Sequence, residues 1–88
     1  MTTADPDAVH SALAFDVNDV DAHLAMADLE LAAGNVDAAF ARLIDLIRIT
    51  AGPSREAVRV RLLELFETVG PTDPAVLKAR RALMTALF

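Results

Sequence analysis

The sequence predicts an all-α domain of about five helices, folded as antiparallel helical hairpins stacked on one another. Three observations predict it. Apolar residues recur at three- and four-residue steps through five stretches, the spacing that places them on one helix face. Strong helix punctuation separates the stretches: Asp5-Pro6, Asn18-Asp19, Gly34-Asn35, Gly52-Pro53-Ser54 and Gly70-Pro71-Thr72-Asp73-Pro74. Between Val20 and Ile49, small residues fall where two antiparallel helices must touch, Ala22 and Ala27 on the first and Ala39 on the second. A hairpin of this kind buries one side of each helix, so it needs further helices packed against it.

The elements follow in order. Asp5 caps and Pro6 opens a short first helix with Val9, Ala12, Leu13 and Phe15 as a modest apolar side, ending near Asp16. Asn18 or Asp19 caps the second, which carries Leu24, Ala27 and Leu31, and Asp21 favours its positive end. Gly34 suits the left-handed turn that closes this helix, and Asn35 is placed to cap the next. The third helix bears Val36, Ala39, Phe40, Leu43, Leu46 and Ile47, with Ile44 and Ile49 beside them, and is expected to form the core. Ser54 is expected to cap the fourth, whose inner face is Val58, Leu62, Leu65, Phe66 and Val69; on its outer face Arg61 and Glu64 stand three apart. Asp73 caps the fifth, which runs from Pro74 to the last residues with Val76, Ala79, Leu83, Ala86 and Leu87 on one face.

Composition narrows the function. Eighty-eight residues make one small domain, and with four Phe, no Trp and no Tyr the core must be aliphatic. No apolar run nears the roughly 20 residues of a membrane span, and the start, Met1-Thr2-Thr3-Ala4-Asp5-Pro6, has neither the basic nor the apolar part of a signal peptide. Without cysteine there is no disulfide or thiolate site, which fits a reducing cytoplasm. The net charge of −5 divides unevenly. Met1 to Ile47 holds nine acids and one base, Arg42, whereas Arg48 to Phe88 holds seven bases and four acids. An overall acidic domain argues against nucleic acid as partner.

No catalytic or metal-binding constellation stands out. His10 and His23, near Asp7, Asp19 and Asp28, lack ligand spacing and read as polar surface. The segment from Asp16 begins like a calcium loop but has Val20 at its fifth position and Ala27 at its twelfth. Ser11, Ser54 and Thr68 have no His or Lys at a suggestive spacing, so no nucleophile, and no cofactor site, is expected. The best candidate site is the last helix, where Lys78, Arg80 and Arg81 form a basic edge beside the apolar tip of Met84, Leu87 and Phe88. Such a surface could dock in a partner groove, or its apolar members could pack on the fourth helix.

The hairpin resembles a tetratricopeptide repeat: Ala22, Leu24, Ala27, Leu29, Gly34, Val36, Ala39, Leu43 and Ile47 stand where that motif takes small or apolar residues. It departs at Leu46, where the motif has a second small residue, and at Pro53, two positions beyond the register of the closing proline. In that register Asp21, Leu24, Asp28 and Leu31 would face a bound segment; the alternative is that Leu24 and Leu31 face the first helix. The C-terminal half, with Arg61-Leu62-Leu63-Glu64-Leu65-Phe66, Gly70-Pro71-Thr72-Asp73-Pro74, Arg80-Arg81-Ala82-Leu83 and Leu87-Phe88, is similar to the tail of the chaperedoxin family. Those bacterial proteins join a thioredoxin-like domain to a tetratricopeptide-like one. The resemblance implies a cytoplasmic holdase that binds unfolding protein clients, with a last helix that docks on the chaperonin. It also implies that residues 1–88 are one domain excised from a longer thioredoxin-fold protein. The alternatives are a module that pairs copies of its parent as a homodimer, and a stand-alone peptide-binding adaptor.

Overall fold

The structure, a computed structural model, describes residues 5–88. The expectation drawn from Met1 to Ala4, that no leader opens the chain, lies outside them. Five helices account for most of the described residues: α1 (Pro6–Phe15), α2 (Val20–Ala32), α3 (Val36–Ile49), α4 (Gly52–Val69) and α5 (Pro74–Leu87). No strand occurs among them, so the all-α, stacked-hairpin expectation holds.

Local chemistry sets the helix ends. The Asp5, Asp19 and Asp73 carboxylates accept from the backbone N–H groups of Asp7, Ala22 and Ala75, satisfying donors that the first turn of each helix leaves free. The α2–α3 turn is a Schellman closure. Gly34 takes φ +85°, its N–H reaches the Leu31 carbonyl at 3.0 Å, and the Asn35 N–H reaches that of Glu30 at 2.8 Å. Asn35 serves this closure through its backbone, and its side chain makes no cap bond to α3, contrary to the sequence expectation. Ser54 likewise does not cap α4. That helix begins at Gly52 with φ +60°, and Pro53 within the first turn has no N–H in need of a partner. The junction is held from outside instead: the Thr50 hydroxyl donates to the Leu46 carbonyl at 2.8 Å, and Arg55 Nε donates to the Thr50 carbonyl at 2.8 Å.

Helix α3 is the hub, packed against α2, α4 and α5, while α1 lies on α2 and α2 touches α4. Its sequence explains this position. Ala39, Phe40, Leu43, Ile44, Leu46 and Ile47 are all buried, more than a single face can hold. Ala27 and Ala39 are fully enclosed where α2 meets α3, as the small-residue pattern requires. From α4 come Val58, Leu62, Leu65 and Phe66, and from α5 Val76, Ala79 and Leu83. The Phe40 and Phe66 rings meet edge to face at 5.1 Å between centroids. Two residues expected on inner faces point outward: Phe15 is 94% exposed and Ile49 63%. Each is the last residue of its helix, where the neighbouring helix no longer covers it.

Candidate protein-docking surfaces

The fifth helix divides cleanly into two faces. Val76, Ala79 and Leu83 point into the core, and Leu87 is half-buried against it. Leu77, Arg81, Met84 and Phe88 follow at steps of four, three and four residues, so they form one stripe, and all four are exposed. Met84 is 63% and Phe88 100% accessible, so this end of the helix stack presents an apolar strip to solvent. Arg80 and Lys78 flank the strip. The Arg80 guanidinium lies 5.0 Å from the centroid of the Phe66 ring, a cation–π contact that seals the core edge while leaving the charge accessible. Lys78, with Asp37, borders a shallow groove of about 190 Å³ between α3 and α5, floored by Phe40, Ile44 and small alanines. Among the described residues, no carboxylate comes within ion-pairing distance of Lys78, Arg80 or Arg81. The structure thus brings five of the six α5 candidates to one surface and gives Leu87 a mainly structural place.

The α2 candidates do not make an open strip. Asp21 is exposed, but Leu24 and Leu31 are half-buried against the main core. Asp28 accepts from Arg61 Nη2 of α4 at 2.5 Å. The hydrogen bond to Asp28 holds the Arg61 guanidinium above its ordinary pKa, against partial desolvation that pulls it down. Glu64, which the sequence spacing pairs with Arg61, also lies within ion-pairing distance at 3.8 Å, and Asp28 is the closer partner. The Asp28–Arg61 contact ties the first hairpin to the second.

A further surface has no counterpart in the sequence expectations. A groove of about 420 Å³ opens between the α1–α2 turn and α3, with Val17, Leu46 and Ile49 as apolar walls and Arg42 and Asp45 as charged ones. His23 holds its edge. The ring lies 2.6 Å through Nε2 from the Val17 carbonyl and 2.9 Å through Nδ1 from Arg42 Nη1. A carbonyl only accepts and a guanidinium only donates, so the ring is the neutral tautomer with its proton on Nε2. Arg42 Nε in turn donates to Glu30 at 2.6 Å, with both side chains about three-quarters buried. The signal for this network is in the sequence: Arg42 is the single base among nine acids up to Ile47, and a lone cation there has carboxylates to choose from. The groove itself, assembled from a turn and a neighbouring helix, has no periodic signature.

Among the described residues, no helix is long and apolar enough to cross a membrane, and no group of three or more His, Asp or Glu is placed to hold a metal ion. Comparison with known proteins agrees with the architecture. The profile of the tetratricopeptide repeat family matches residues 1–88. An uncharacterized protein of Mycobacterium tuberculosis (strain H37Rv) is 47% identical over 87 residues, covering 99% of this chain and 28% of the relative. Uncharacterized proteins of Mycobacterium bovis and of a second M. tuberculosis strain match with the same 47% identity and 28% coverage. The chain therefore spans just over a quarter of the length of the curated relatives it matches. No solved structure matches it.

Proposed function

The chain belongs to the tetratricopeptide repeat family, a family of protein-interaction modules, and from that premise we propose that it is the non-enzymatic docking domain of a thioredoxin-like, cytoplasmic co-chaperone. It holds unfolding protein clients and binds the chaperonin through α5. The observation that carries this reading is the outward stripe of α5, where exposed Leu77, Met84 and Phe88 alternate with Arg81 and are flanked by Lys78 and Arg80, three cations that pair with no carboxylate among the described residues. A helix face of that kind is suited to a groove on another protein, where apolar burial supplies affinity at roughly 25 cal/mol per Å² before ordering costs, and charge supplies orientation. Client capture draws on the same property elsewhere, through Phe15 and Ile49 at the ends of helices and Val17 in the α1–α2 turn.

Two further points support placing the domain in a longer co-chaperone. The similarity of its C-terminal half to the chaperedoxin tail supplies the thioredoxin-like partner domain, and the matched relatives are more than three times the length of this chain. Any redox chemistry of such a parent lies outside these residues, which contain no cysteine.

Removing α5 is a poor test, because Val76, Ala79 and Leu83 would leave the core with it. The test is a triple substitution on the outward face, Arg81→Glu, Met84→Glu and Phe88→Asp, in a pull-down of purified chaperonin. The wild-type chain is expected to retain chaperonin and the variant to lose it, with helical circular dichroism unchanged. Equal retention by both would remove α5 docking. For the client role, the chain is expected to suppress aggregation of a thermally unfolding reporter enzyme, and no suppression at a several-fold molar excess would refute it.

A further inference from the structure

We propose that copies of this chain associate head to tail, the outward stripe of α5 in one copy seating in the groove beside the α1–α2 turn of the next. The proposal does not rest on the co-chaperone reading, and a failed chaperonin pull-down would leave it intact.

Charge complementarity is the first ground. Ion pairs within the molecule consume most of its central charge: Glu30 with Arg42, Asp45 with Arg48, Glu56 with Arg59, and Asp28 with Arg61. The charges left without an opposite partner separate in space. Among the described residues, three of the four bases that pair with no carboxylate are on α5, the fourth being Arg55, which donates to a backbone carbonyl. Five of the eight acids that pair with no base lie between Asp5 and Asp21, around α1 and the turn to α2. Among the described residues, the α5 side is therefore predominantly cationic, with Asp37 beside Lys78 and Asp73 at its N-cap as the exceptions, and the α1 end is anionic, an arrangement that steers two copies into opposite ends of each other.

Shape and apolar surface are the second ground. Met84 and Phe88 protrude from the cationic face. At the anionic end Phe15 and Val17 are exposed, and Val17, Leu46 and Ile49 wall the groove of about 420 Å³, which is roomy enough for an aromatic side chain. Arg42, which would otherwise repel the incoming cations, is already neutralised by Glu30. The stripe is on α5 and the groove lies between the α1–α2 turn and α3, so the two joined surfaces differ and the interface is heterologous. Stacking of this kind continues the side-by-side packing of the helices from one molecule into the next.

The test is sedimentation velocity over a concentration range of about 10 μM to 1 mM, which spans weak specific association. Wild type is expected to shift to faster species with concentration, and less so at high salt. A tail variant (Met84→Glu, Phe88→Glu) and a head variant (Phe15→Glu, Val17→Glu) are each expected to weaken self-association at least about tenfold. Mixed at equal concentration they are expected to form a 1:1 complex, because one intact tail and one intact head remain. All four positions are exposed, and circular dichroism would check that the variants keep their helices. The exchanged charges Arg81→Glu in one copy and Asp16→Lys in the other provide a second pair without apolar changes, expected to complement in the same way. A wild-type chain that stays monomeric throughout at low salt, or variants that fail to complement, would overturn the proposal.

Discussion

Phe66 sits where three elements meet: its ring packs edge to face on Phe40 of α3, carries the Arg80 guanidinium of α5 over its face, and is fully buried in α4. Phe66→Ala is expected to cost about 3–5 kcal/mol, read as a fall in the urea midpoint, because it opens a cavity at the centre of the stack. Arg80→Ala removes only a surface cation–π contact and is expected to cost about 0.5–1 kcal/mol. The contrast separates core from rim on one ring. At His23 the geometry demands a single tautomer, so long-range ¹H–¹⁵N spectra of the neutral ring should show the proton on Nε2. A spectrum with the proton on Nδ1 would contradict the bond from Arg42. Apart from Arg42, the lone base among the acids up to Ile47, these side-chain meetings were not legible in the sequence. Arg61 and Asp28 are 33 positions apart, and only the stacking of α4 on α2 brings them together; local spacing shows only the looser Glu64 partner, which is also present.

Helix boundaries were legible, because the forces that set them act within a few residues. Asp19, Gly34, Gly70 and Asp73 all stand at the ends that their chemistry predicts. Gly34 tests the rule directly. A Cβ there would meet no atom within 4 Å, so Gly34→Ala isolates the strain of φ +85° and is expected to cost about 1 kcal/mol in thermal unfolding. Asp73→Ala is expected to cost a similar amount, about 1 kcal/mol, by freeing the first turn of α5. On α4, the hydrogen bond from Arg59 holds the Glu56 carboxyl below its ordinary pKa. Its stabilising contribution is therefore present above the usual glutamate range and disappears as pH falls through the lowered value, a loss that Glu56→Gln should abolish. Asn35 and Ser54 depart from this rule, each because its neighbours set the helix end. Each is a good cap by type, but Asn35 was already engaged by the Schellman turn through its backbone, and the left-handed Gly52 started α4 before Ser54.

At the scale of the whole molecule, the architecture followed from the sequence because one helix, α3, is apolar on more sides than a single neighbour can cover. The inward face of α5, Val76, Ala79 and Leu83, was legible from spacing, whereas Leu87, placed in the tip by the sequence, is half-buried against the core and Leu77 joins the outward stripe. The groove beside the α1–α2 turn was not, because it forms only when a turn without periodicity comes to rest on α3. The picture that results is a short stack with its charge sorted to opposite ends and uncovered apolar ground on its terminal helix. The measurement that probes it most directly is chaperonin binding by the α5 outward-face variant, Arg81→Glu with Met84→Glu and Phe88→Asp, followed by surface biosensor titration. The account predicts that affinity falls at least about tenfold while the melting temperature is unchanged. Undiminished binding by a folded variant would contradict it.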